Sequence, residues 1–129
     1  MNNIFVICEY SEGSIADVSL ELLTKGKKLA GQLNCQLEAL VMGYPLNDIE
    51  KIIFPFGVDV VWKAEDQRLN PYTTLPYTSI ATTIFKQEKP QIVLIGATSF
   101  GRDLAPRIAS ALKTGLTADC TALEIGDHE

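Results

Sequence analysis

One short segment of small, polar and basic residues combines the groups that could bind an anion. A buried apolar run at 92–95 leads into residues 96–102, GATSFGR. Glycines let backbone N–H groups approach a ligand, hydroxyls can donate, and a helix that begins here favours negative charge at its amino end. We therefore predict a ligand crevice formed by Gly96, Ala97, Thr98, Ser99, Gly101 and Arg102.

The same segment lacks the residues that nucleotide chemistry requires. Gly96 and Gly101 have the spacing of P-loop glycines, but Arg102 and Asp103 stand where Lys and Ser or Thr are needed. The dinucleotide pattern G-x-G-x-x-G is also absent. A structural interpretation stays open: the glycines shape a tight turn, Thr98 or Ser99 caps the helix, and Arg102 pairs with a carboxylate. Pro106 is then expected in the first helical turn.

Two further segments have both a functional and a structural interpretation. Residues 10–14, YSEGS, follow the first apolar run and could be the other wall of a crevice or an ordinary hydrophilic connection. Asp66, Leu69, Tyr72 and Tyr77 could line a partner surface or cover the edge of the core.

The remaining reactive residue types predict neither catalysis nor a metal site. The three cysteines, Cys8, Cys35 and Cys120, form no CxxC pair and fall in or beside apolar runs, so we expect buried, reduced thiols. The one histidine, His128, lies at the very end of the sequence, so we expect neither zinc binding nor histidine-dependent catalysis. No local pattern pairs two carboxylates, or a nucleophile with a base, so we expect no catalytic residue and no enzyme activity.

The elements that would position the crevice follow from alternating apolar patterns. Short buried runs predict strands, and apolar residues at helical spacing predict helices between them. Strand and helix alternate four times before a last strand, which predicts one α/β domain over residues 1–129 with a parallel sheet between helical layers. The predicted strands are 3–8, 36–42, 58–63, 92–95 and 121–125, and the predicted helices are 18–33, a short one between Pro45 and Gly57, one from Pro76, and 102–113.

Composition restricts the class of partner. The chain has 129 residues, 47% of them hydrophobic, with a net charge of −5. An acidic protein is a poor match for nucleic acid or an anionic membrane. No apolar run approaches the roughly 20 residues that cross a bilayer, and the start lacks the pattern of a secretory signal. We expect a cytoplasmic protein.

Longer motifs resemble one family. Residues 96–107, GATSFGRDLAPR, and 114–120, TGLTADC, resemble the amino-terminal domain of the electron transfer flavoprotein alpha subunit. Residues 19–23, SLELL, and the spacing of Asp66, Leu69 and Tyr72 are also similar to that family. The resemblance extends over the whole chain in order.

The resemblance implies a fold and a function. The fold is adenine-nucleotide-hydrolase-like, with strand order 3-2-1-4-5 and a crevice between strands one and four, beside residues 8–11 and 96–101. The function is to dock a beta subunit and support electron transfer from flavin-dependent dehydrogenases, with some family members bifurcating electrons. The resemblance also implies where the cofactors are bound. The redox FAD would be held by a separate carboxyl-terminal domain of the alpha subunit, and AMP, or a second FAD in bifurcating members, by the beta subunit.

Two departures qualify this expectation. The chain stops at Glu129, where the FAD domain of the family would begin, so we expect a fragment that does not bind FAD on its own. The glycines also depart from the G-x-x-G-x9-G-[ST] pattern of universal stress proteins, because Thr114 precedes Gly115. A free-standing adenine nucleotide-binding module of that type remains the alternative function.

Overall fold

A sheet with helices on both faces positions every residue discussed below. The computed structural model describes residues 2–112 with their side chains and the backbone of two later strands, 115–118 and 122–126. The strands are β1 Ile4–Cys8, β2 Tyr10–Ser11, β3 Ser14–Ile15, β4 Leu37–Gly43, β5 Val60–Glu65, β6 Ile92–Gly96, β7 Gly115–Ala118 and β8 Ala122–Gly126. The α-helices are α1 Asp17–Leu33, α2 Ile49–Ile53, α3 Thr74–Glu88 and α4 Ser99–Leu112, and short 3-10 turns cover Phe54–Phe56 and Gln67–Leu69.

The main sheet has the order β5-β4-β1-β6-β8-β7. Its first four strands are parallel, as expected where helical crossovers connect buried strands. The predicted order 3-2-1-4-5 and the three-layer α/β class are confirmed. The last predicted strand, β8, runs antiparallel to β6 and not parallel to it. The reason is an additional strand, β7, which follows α4: β8 reverses direction after β7 and pairs with both β7 and β6.

Side-chain alternation along the strands creates two cores. Ile4 and Val6 of β1 contact the layer of α1, whereas Phe5 and Ile7 contact the layer of α3 and α4. On the first face, a Cβ atom at Gly26 would lie 2.8 Å from the Leu37 side chain, so α1 packs closely on the sheet. Both faces of the parallel strands are therefore buried.

The amino end of α4 differs from the prediction. The helix begins at Ser99 rather than Arg102, because the backbone N–H of Arg102 already donates to the Thr98 carbonyl at 2.8 Å. Pro106 consequently lies in the helix interior and not in its first turn. Gly101, whose low helix propensity indicated a loop, is helical because it packs on β6.

None of the helices in the described part of the chain is long and apolar enough to cross a membrane.

Candidate functional site

A cleft of about 650 Å³ opens at the edge of the sheet where β1 and β4 end and α4 begins. Ligands of open α/β sheets commonly bind outside the carboxyl ends of the strands. Loops after β1, β4 and β5 form the wall together with the start of α4. The lining residues are Glu9, Tyr10, Ser11, Glu12, Gly13, Gly43, Tyr44, Pro45, Asn47, Leu69, Asn70, Pro71, Tyr72, Tyr77, Ser99, Phe100 and Asp103.

The six residues predicted to form the crevice are only partly at this cleft. Ser99 lines it, whereas the other five residues are not part of its wall. Arg102 is exposed on α4 and contributes no charge to the wall. A ligand-binding role for these residues stays a prediction. The five residues off the wall are Gly96, Ala97, Thr98, Gly101 and Arg102.

Gly96 and Gly101 allow α4 to pack directly on the end of β6. A Cβ atom at position 101 would lie 1.8 Å from the Gly96 carbonyl oxygen. A Cβ atom at position 96 would lie 3.0 Å from the side chain of Val18. These distances support the structural interpretation: a Cβ atom at position 101 would overlap a backbone oxygen, and one at position 96 would require the Val18 side chain to shift.

Thr98 is the cap of α4 and connects it to the end of β1. Its Oγ1 accepts from the Gly101 N–H at 3.2 Å and donates to Glu9 Oε1 at 2.8 Å. The Glu9 backbone is held in turn, because its N–H donates to Ser19 Oγ and its carbonyl accepts from the Ala16 N–H. A carboxylate therefore lies beside the amino end of α4, where it offsets the positive helix dipole.

Residues 10–14 form a small hairpin that lines the cleft. β2 pairs with β3 through a turn in which Glu12 and Gly13 have φ angles of 52° and 82°. Two consecutive positive φ angles are typical of the tight turns that connect hairpin strands. The hairpin stands beside the start of α4 because β1 and β6 are neighbours in the sheet. Of the two interpretations of this segment, the geometry supports the crevice wall.

Asp103 is the centre of a hydrogen-bond network that sequence reasoning missed. Its Oδ2 accepts from the hydroxyls of Tyr72, at 2.7 Å, and Thr74. These hydrogen bonds, with that of Thr74 the larger, lower the pKa of the Asp103 carboxyl. Arg107, one turn along α4, lies 3.8 Å from Oδ1. Asp103 thus ties the start of α3 to α4 as a carboxylate.

Aromatic rings form the wall beside this network. Tyr72 lies edge-to-face with Tyr77 at 4.7 Å and with Phe100 at 5.1 Å between ring centroids. Tyr77 is buried and donates its hydroxyl to the Leu69 carbonyl at 2.6 Å. Burial, followed by the hydrogen bond to Asp103, raises the pKa of Tyr72 to about 12. These residues therefore cover the core edge and face the cleft at the same time.

The loop after β4 contributes wall residues that the sequence did not single out. Tyr44, Pro45 and Asn47 line the cleft, and the peptide bonds Tyr44–Pro45 and Asn70–Pro71 are both cis. The sequence did contain one sign of this loop, Gly43, which ends the predicted second strand. The carboxyl ends of parallel strands lie at the same edge of the sheet, where ligands usually bind, so the loop after Gly43 could have been expected at the cleft.

Other candidate chemistry is limited. No group of three or more His, Cys, Asp or Glu residues suited to a metal occurs in the described part of the chain. Cys8 is buried and burial raises its pKa to about 12, which makes it a poor nucleophile, whereas Cys35 is only partly buried. Cys120 and His128 lie outside the described residues.

The fold and cleft define an α/β domain of the adenine-nucleotide-hydrolase-like type. Residues 4–129 match the family described as the electron transfer flavoprotein domain. The chain belongs to the electron transfer flavoprotein family.

Relatives with a known name indicate the branch of the family. The chain is 39% identical to the electron transfer flavoprotein subunit alpha of Thermoanaerobacterium thermosaccharolyticum over 126 residues, which is 98% of the chain and 38% of that protein. It is 42% identical to the subunit of the same name from Clostridium acetobutylicum, covering 95% of the chain and 36% of that protein.

A third relative has a different name. The acryloyl-CoA reductase electron transfer subunit beta of Anaerotignum propionicum is 41% identical over 95% of the chain and 34% of its own length. The chain thus spans little more than a third of the curated relatives it matches. The resemblance to alpha subunits is confirmed.

Proposed function

We propose that this chain is the non-catalytic amino-terminal domain of an electron transfer flavoprotein alpha subunit in the cytoplasm. It docks the beta subunit and supports electron transfer from flavin-dependent dehydrogenases. The redox FAD is held by another part of the alpha subunit, and AMP or a second FAD by the beta subunit.

The similarity to electron transfer subunits over nearly the whole chain carries this proposal. Relatives from three organisms are named as subunits, and they match 95–98% of the chain while extending well beyond the matched region. With the redox FAD proposed to lie in another part of the subunit, we infer that this region serves assembly.

The cleft does not fit FAD. A dinucleotide needs N–H groups or cationic side chains for its pyrophosphate. The wall instead carries Glu9, Glu12 and Asp103, and the described residues contribute no Lys, Arg or His to it. Glu9 already faces the amino end of α4 through Thr98, where a phosphate would be placed. This arrangement favours a supporting domain over the alternative of an adenine nucleotide-binding module.

Two measurements on the purified chain test the proposal. Analytical ultracentrifugation with a beta subunit of the family is expected to give a one-to-one complex. Calorimetry with AMP, ATP and FAD is expected to show no binding at micromolar concentration, because the wall repels phosphate. Micromolar ATP binding without beta-subunit binding would establish the nucleotide module instead.

A further inference from the structure

We propose that the cleft at the strand ends binds a small organic cation that carries an ammonium or guanidinium group. The first observation is the charge of its wall. Glu9, Glu12 and Asp103 line a volume of about 650 Å³, and no basic side chain of the part of the chain that the structure describes lines it. Small-molecule sites commonly span roughly 300–1,000 Å³. The cleft therefore has the size of a ligand site and the charge that selects a cation.

The second observation is the aromatic character of the same wall. Tyr72, Tyr77 and Phe100 pack edge-to-face, with centroids 4.7–5.9 Å apart, and all three line the cleft. Tyr10 and Tyr44 add two more rings. The electron-rich face of an aromatic ring attracts ammonium and guanidinium groups, and rings grouped around one space are a recurrent way to bind them.

Two of the carboxylates are fixed where a cation would meet them. Glu9 is held by Thr98, and Asp103 is held by the hydroxyls of Tyr72 and Thr74. The Arg107 side chain, which is exposed and not part of the wall, lies 3.8 Å from Asp103. Preorganised acceptors lose little freedom when a ligand binds.

The test uses the purified chain and two probes, choline and L-arginine amide. NMR titration is expected to show saturable shifts of the amides of residues 9–13 and 99–103 and of Asn70 and Tyr72, with Kd in the millimolar range or below. AMP at equal concentration is expected to shift none of them. Increasing salt should weaken probe binding, since the carboxylates are partly exposed.

Matched variants separate the cleft from general surface charge. Glu12→Gln and Phe100→Leu should each weaken binding by about two- to fivefold, through loss of one ion pair and one cation–π contact. Glu21→Gln removes the same charge from an exposed position on α1 and should leave Kd unchanged. A thermal melt of each variant confirms that it is folded.

Three outcomes overturn the proposal: no saturation by either probe up to about 50 mM, tighter binding of AMP than of both cations, or equal loss of affinity in Glu12→Gln and Glu21→Gln. Each outcome is independent of beta-subunit binding, so failure here leaves the assembly role standing.

Discussion

At the scale of single residues, Gly101 is the position where the fold tolerates no side chain. A Cβ atom there would overlap the Gly96 carbonyl oxygen at 1.8 Å, and a backbone atom cannot rotate away. We expect Gly101→Ala to lower the free energy of unfolding by about 3 kcal/mol or more, because α4 must move off β6. Urea denaturation followed by circular dichroism measures this change.

Gly31 provides the control for this substitution. It lies on the exposed side of α1, and nothing is within 4 Å of a Cβ atom built there. Gly31→Ala should raise the free energy of unfolding by about 0.5–1 kcal/mol through helix propensity alone. If both variants change stability in the same direction, the contact between Gly101 and Gly96 does not set the position of α4.

Asp103 provides a second residue-scale prediction, on its pKa. The hydroxyls of Thr74 and Tyr72 donate to the ionised carboxyl and lower its pKa. Thr74→Val and Tyr72→Phe should each raise that pKa, with the larger rise for Thr74→Val, as followed by ¹³C NMR of the side-chain carboxyl. Asp66, whose pKa Arg68 holds at about 2, is the internal reference and should not move.

The sign of the stability effect follows from the direction of this shift. A carboxyl with a lowered pKa stabilises the fold above its ordinary pKa and loses that contribution as the pH falls through the folded-state value. The stability difference between the wild type and Asp103→Asn should therefore be largest above pH of about 5 and shrink on acidification. A difference that grows toward low pH would contradict the assigned role of Asp103.

At the scale of elements, α4 contains a proline at an interior position that is unfavourable for this residue. Pro106 lies in the exposed interior of the helix, where it removes the hydrogen bond to the Arg102 carbonyl. Pro106→Ala should raise the free energy of unfolding by about 1–3 kcal/mol, because the restored hydrogen bond and higher propensity outweigh the entropy that alanine returns to the unfolded chain. Thermal and urea unfolding both measure it.

Pro76 is the matched control in another helix. It occupies the first turn of α3, which begins at Thr74, and a backbone N–H there has no partner within the helix. Pro76→Ala should change stability by less than about 1 kcal/mol. An equal gain at both prolines would indicate that the position of the proline within its helix does not govern the effect.

The same elements show what the sequence could predict. Buried runs such as Ile4–Cys8 and Leu37–Gly43 identified the strands because both faces of a parallel sheet need apolar side chains. The prediction placed the start of α4 at Arg102 instead of Ser99. The contact between Gly101 and Gly96 that overrides helix propensity is a tertiary contact, which local sequence does not show. The hairpin Tyr10–Ile15 was missed, since its strands have only two residues each.

The cleft was less predictable than the fold for a related reason. Residues 96–102 carry a recognisable local pattern, yet most of the wall comes from segments far apart in sequence. Glu9 and Thr98 are separated by 89 residues, and Tyr72 and Asp103 by 31. Only the strand order brings such residues together, so composition at one loop could not show the acidic and aromatic character of the whole site.

At the scale of the whole molecule, the proposed docking of a beta subunit requires an exposed apolar surface. Ile52 and Phe54, 38% and 46% exposed, lie on α2 and the following 3-10 turn, in the layer of α1. Leu75, at the start of α3 in the opposite layer, is 76% exposed. The presence of two exposed apolar residues in one segment leads us to propose docking through the α1 layer.

This assignment predicts different effects for two variants of similar chemistry. Ile52→Ser combined with Phe54→Ser should weaken beta-subunit binding by about tenfold or more, because truncation of buried interface anchors costs over 1 kcal/mol each. Leu75→Ser should change binding by less than about threefold, since an isolated apolar side chain at a rim contributes little. Sedimentation velocity across a titration of the beta subunit measures both. A larger loss for Leu75→Ser would place the interface on the layer of α3 and α4.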